Sequence, residues 1–132
     1  MSIRPGAAQG ADDGVPGEID YRLARRARID DYRAGRLARH EVCDAQPELL
    51  RNAVQCSRRT RRVCPICADQ DLVVVTYVFG PRLPSAGRCV TSSAELRALA
   101  ARRGSFAAYE VEVCTGCRWN HLSRTYLLDP VG

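Results

Sequence analysis

The chain has 132 residues, with twenty basic side chains, all arginine, against fifteen acidic ones, for a formal net charge of +5 at pH 7. That length holds one compact domain, or one small domain with an appendage, and an aromatic content of 6% leaves a core of Leu, Val and Ala that a metal would have to staple. No apolar run approaches the roughly 18 to 20 residues that span a bilayer, and residues 1–17 lack the charged and apolar regions of a secretory signal, so a cytoplasmic protein is expected.

Residues 1–18 are mostly Gly, Ala, Pro, Asp and Gln and offer too little to bury to repay ordering, which predicts a disordered tail. Ile19, Leu23 and Ala27, joined by Tyr32, then recur at helical spacing among Arg22, Arg25, Arg26 and Arg28, which predicts an amphipathic helix ending near Gly35. A short helical turn follows over residues 37–43. Pro47 and Glu48 suit the first turn of a third helix, with Leu49, Leu50, Ala53 and Val54 as its buried side. Three short helices allow a helix-turn-helix reading with Arg51 in a major groove. A plain helical layer fits better, because the third helix offers few polar residues to base edges.

Charge gathers in this region, where residues 20–62 hold twelve Arg against six Asp or Glu. Four of those arginines, Arg58, Arg59, Arg61 and Arg62, fall in one six-residue stretch that reads as a basic linker able to track phosphates. A solvated face would look the same, and the absence of lysine fits bidentate anion contact and a GC-rich genome equally well. Downstream, residues 72–79 form a β-branched and aromatic run that predicts a buried strand. Ser92 and Glu95 form a capping box for a helix over residues 93–103, closed by Gly104, and residues 106–113 and 119–128 supply two more strands.

Two Cys-x-x-Cys pairs, Cys64-Pro65-Ile66-Cys67 and Cys114-Thr115-Gly116-Cys117, stand at the heads of strand-like segments. Four thiolates at that spacing make a structural Zn2+ site, one ion per chain, with no open position for catalysis. Pro65 restricts the first turn, and Gly116 offers the positive φ that the second often needs. The rival readings are two redox-active pairs or an iron–sulfur cluster. Cys64 precedes a strand rather than a helix, which disfavours the thioredoxin-like version. Cys43, Cys56 and Cys89 remain, with His40 and His121. A second site of His40, Cys43, Cys56 and one more ligand is conceivable, but buried apolar thiols are the simpler reading. Zinc-deaminase order fails, because Glu41 directly follows His40 and Pro65 lies inside the pair. Hydrolytic motifs are also absent, so no enzyme is expected.

The chain resembles a family of small zinc-ribbon proteins of unassigned function from high-GC Gram-positive bacteria. The resemblance spans about residues 19–128. It rests on residues 20–26, on Val42-Cys43-Asp44-Ala45 with Pro47-Glu48-Leu49-Leu50, on both cysteine pairs, and on Trp119-Asn120-His121-Leu122. It implies zinc binding and no particular activity. The combined reading is an α+β protein: a disordered tail (1–18), an Arg-rich helical arm (19–62), and a three-stranded antiparallel zinc ribbon with one inserted helix (63–130). Its expected role is an adaptor docking on RNA polymerase or the ribosome through Arg58, Arg59, Arg61, Arg62, Arg118, Trp119 and Asn120. The alternatives are a protein-interaction or oligomerisation module with structural zinc, and a thiol redox switch; neither membrane nor small-molecule substrate is expected.

Overall fold

A computed structural model describes residues 17–128; most of the expected disordered tail lies outside them. In chain order the elements are β1 (Ile19–Asp20), α1 (Arg22–Arg33), α2 (Arg39–Val42), α3 (Pro47–Gln55), β2 (Arg58–Val63), β3 (Asp71–Phe79), β4 (Arg88–Val90), α4 (Ser93–Ala100), β5 (Ala107–Val113) and β6 (Asn120–Leu127). The fold is α+β. One six-stranded sheet runs β1-β6-β5-β3-β2, with β4 also on β3, and every pairing is antiparallel.

β3 is apolar on both faces because both are covered. Val73, Val75 and Tyr77 pack with Leu49, Leu50 and Ala53 of α3, while Val78 joins Leu99 of α4 with Phe106 and Tyr126. Asn52 Nδ2 donates to the Tyr77 hydroxyl at 2.8 Å and pins α3 to the strand. Pro47 opens α3 as its spacing predicts, but Val54 is 72% exposed rather than buried. Ser92 caps α4 by accepting from Glu95 N at 3.1 Å. That helix closes at Ala100, three residues short of the expected 103.

The sheet has six strands rather than the expected three, and residues 19–62 supply both ends of its order. Ile19 pairs with Thr125, which pulls the first residues of the expected helix into β1 and moves the start of α1 to Arg22. That shift changes the buried face. Leu23 is 86% exposed and Ala27 is exposed, while Ile29 is only 5% exposed and packs near Tyr32. Leu23→Ala should therefore change stability by no more than about 0.5 kcal/mol. Ile29→Ala should cost about 2–5 kcal/mol. Urea unfolding of the two variants checks the assignment.

Residues 58–63 are likewise a strand, not a flexible linker. Arg58 and Arg59 pair with Val74 and Val73, a bulge follows, and Val63 pairs with Asp71. Thr60 holds the bulge by donating its hydroxyl to Leu72 O at 2.7 Å and accepting from Arg62 N at 3.1 Å.

Candidate metal centre

The first cysteine pair leads into β3 and the second lies between β5 and β6. Because β3 and β5 run antiparallel with Val73 opposite Val113, both pairs arrive at the same end of the sheet. Each folds into the same loop. Ala68 N donates to Cys64 O at 3.1 Å and Arg118 N to Cys114 O at 2.9 Å. Cys64 N then bonds Gln70 O, and Cys114 N bonds Trp119 O, both at 2.8 Å. The residue after each second cysteine is left-handed, Ala68 at φ 57° and Arg118 at φ 78°. Sequence reasoning gave that conformation to Gly116. Gly116 instead allows a close approach, since a Cβ there would lie 2.9 Å from the Gln70 side chain.

The four sulfurs all lie within 4.8 Å of one another. Cys64 to Cys117 and Cys67 to Cys114 are each 3.7 Å. A tetrahedron with metal–sulfur bonds of about 2.3 Å has edges of about 3.8 Å, so the donor set fits a thiophilic divalent ion. Backbone N–H groups point at the sulfurs: Ile66 to Cys64 at 3.4 Å, Asp69 to Cys67 at 3.5 Å and Cys117 to Cys114 at 3.4 Å. Such bonds spread thiolate charge and orient the ligands. Without a cation, burial pushes the Cys64 and Cys117 thiols up, whereas at Cys67 the opposing effect of burial is outweighed by the Asp69 N–H and neighbouring thiols. A divalent ion would override burial and hold all four deprotonated.

Around the sulfurs a core assembles from Ile29, Val42, Leu72 and Trp119, with Tyr32, Leu37 and Ile66 at its margin. Trp119 is fully buried and donates Nε1–H to Glu112 Oε2 at 2.7 Å. Glu112 is itself at 0% exposure and is paired with Arg25 at 2.8 Å and Arg62 at 3.4 Å. His121 stacks on Trp119 at 5.9 Å, and burial holds its imidazole below the usual value.

These positions redraw the expected contact surface. Trp119 is not available to a partner: its indole is committed to Glu112. Asn120 binds Asp44 at 2.9 Å, and Arg62 is half-committed to Glu112. Arg58, Arg59, Arg61 and Arg118 stay exposed. The conceivable second site does not assemble. His40 is exposed, Cys43 belongs to the metal end, and Cys56 lies by Cys89, whose Sγ–H donates to Cys56 O at 2.9 Å. Burial and then the Cys56 thiol push Cys89 up to about 12, as for a thiol packed at the margin of the core. Sequence reasoning missed Glu112, Arg25 and the position of Cys43.

Fold and site together define a small α+β protein with a four-cysteine centre able to hold a metal ion, and among the described residues no helix is long and apolar enough to cross a membrane. The chain belongs to the Family of unknown function (DUF5318), whose profile matches residues 16–131. It is similar to the uncharacterized proteins Rv0049 of Mycobacterium tuberculosis (strain H37Rv) and Mb0050 of Mycobacterium bovis. Each is 42% identical over 110 residues, covering 83% of this chain and 80% of the relative. No solved structure matches the chain. The family and the mycobacterial relatives agree with the resemblance to a family of unassigned function from high-GC Gram-positive bacteria.

Proposed function

We propose that the chain is a non-enzymatic zinc-ribbon protein with one structural zinc ion, and that its arginine-bearing edge strand docks it on a nucleic-acid-processing assembly such as RNA polymerase or the ribosome. The observation that carries the zinc reading is the sulfur geometry, with 3.7 Å edges between matched loops. Zinc bound there would cross-link the two loops, and four thiolates leave it no vacant position for substrate or water. That closed shell, together with a cluster shielded by Leu72, Trp119 and Ile29, favours a structural role over a catalytic one.

Support for docking comes from β2. It lies at one end of the sheet order, and Arg58, Arg59, Arg61 and Arg62 are all exposed along its six residues. Arg118 adds a fifth exposed charge at the second loop. Guanidinium groups bind phosphate bidentately, and a strand holds several at fixed spacing. Since Arg62 also serves Glu112, the test spares it. Replacing Arg58, Arg59 and Arg61 with Glu should abolish binding of the full chain to single-stranded RNA while leaving zinc content and melting unchanged. In the unmodified chain, three phosphate contacts predict a loss of roughly 20- to 40-fold in affinity between 50 and 200 mM salt. Salt-insensitive binding, or full binding by the triple variant, would replace this reading with a protein-interaction module. Co-purification with and without nuclease then identifies the assembly.

A further inference from the structure

Cys43 caps the C-terminal end of α2 and lies outside the four-cysteine set, yet its Sγ–H donates to Cys117 Sγ at 3.5 Å. That separation is shorter than the 3.7 Å between ligand sulfurs. We propose that Cys43 is an oxidative modification site: a peroxide-class oxidant converts the Cys43–Cys117 contact into a disulfide and opens the metal centre. The inference rests on the zinc reading above.

Access and contact together point to this pair. Cys64 and Cys114 are buried, whereas Cys43, Cys67 and Cys117 are partly exposed, and of these three Cys43 alone lies outside the ligand set, against Cys117. The step balances. The Cys117 thiolate attacks hydrogen peroxide, the O–O bond breaks, and a sulfenic acid and hydroxide form. The Cys43 thiol then attacks the sulfenic sulfur, the S–O bond breaks, and the S–H proton leaves with the displaced oxygen as water. Two electrons pass from the two thiols to one peroxide. Closure takes the sulfurs from 3.5 Å to a bond of about 2.05 Å, a movement that the end of a four-residue helix can supply. Three thiolates are left as ligands, one too few to close a tetrahedral ion.

The experiment uses the full chain, with bound zinc quantified before oxidation. Limiting hydrogen peroxide should release zinc, and non-reducing peptide mass mapping should find a bond between Cys43 and Cys117 that dithiothreitol and added zinc reverse. Cys43→Ser should start with the same zinc content and release it about tenfold more slowly, because sulfenic acid at Cys117 then lacks the neighbouring thiol that is not itself a metal ligand. Cys43→Ala gives the same comparison without a hydroxyl. Zinc loss from both variants at the original rate would overturn the proposal. So would a mapped bond within Cys64–Cys67 or Cys114–Cys117, or indifference of the unmodified chain to peroxide. Absence of zinc before oxidation would instead fail the zinc reading. The mapping on metal-free protein then still decides whether Cys43 and Cys117 pair.

Discussion

Stripping the proposed zinc ion with a chelator is expected to unfold the cysteine end of the sheet and release α1 and α2 from it. Structural zinc contributes an apparent ~10–16 kcal/mol in zinc-finger peptides, comparable to the roughly 5–15 kcal/mol that keeps an ordinary domain folded. Here the sulfurs are not peripheral: Cys64 and Cys114 are buried in one cluster with Ile29, Val42, Leu72 and Trp119. Repulsion or protonation among four freed thiols would therefore open the cluster that anchors both helices. The chain has a single tryptophan, so its fluorescence reports that cluster alone. Chelation should shift Trp119 emission to the red and cut helical circular dichroism, and zinc should restore both. Single Cys→Ser changes at Cys64, Cys67, Cys114 or Cys117 should resemble the chelated state. Unchanged emission after complete chelation would mean that the apolar contacts hold that end without the ion.

The second large effect belongs to Glu112. A carboxylate at 0% exposure is tolerated because Arg25 and Arg62 balance its charge and the Trp119 indole fills a further acceptor site. Deleting it in Glu112→Ala leaves Arg25 partly buried without its partner and the indole N–H unbonded. Removing one member of such a buried pair costs about 3–5 kcal/mol, a fall in Tm of roughly 12 °C or more for a domain of this size. Arg25 is the closer and less exposed cation, 26% against 53% for Arg62, so water screens it less. Arg25→Ala should therefore cost more than Arg62→Ala, and a double-mutant cycle with Glu112 should show the stronger coupling for Arg25. Equal and small losses for both arginines would show that the indole hydrogen bond, rather than the ion pair, stabilises the buried carboxylate.

How much of this was legible in the sequence depends on the range of the forces involved. The cysteine pairs were readable because tetrahedral coordination dictates ligand type and spacing locally. The Ser92 cap of α4 and the Pro47 start of α3 were readable for the same reason. β2 was not, since four arginines in six residues carry neither strand nor helix periodicity and the segment becomes a strand only because β3 offers it an edge. The face of α1 was misplaced when Ile19, taken as helical, proved to be hydrogen-bonded to β6. Glu112 lies two residues from Glu110 along β5, and no local pattern separates them, yet Glu110 meets Arg124 at 3.0 Å while Glu112 is covered over by Trp119, Arg25 and Arg62. Cys43 comes within reach of Cys117 across 74 positions of sequence, a juxtaposition that no local pattern records.

The account stands on the four-thiolate centre, and metal analysis of the full chain purified under reducing conditions tests it most directly. The prediction is one zinc per chain, lost in the four knuckle Cys→Ser variants. Cobalt substitution should give the intense long-wavelength ligand-field bands of a tetrahedral thiolate site. A metal-free folded chain, a zinc content indifferent to Cys64 and Cys114, or the weak spectrum of octahedral cobalt would contradict it.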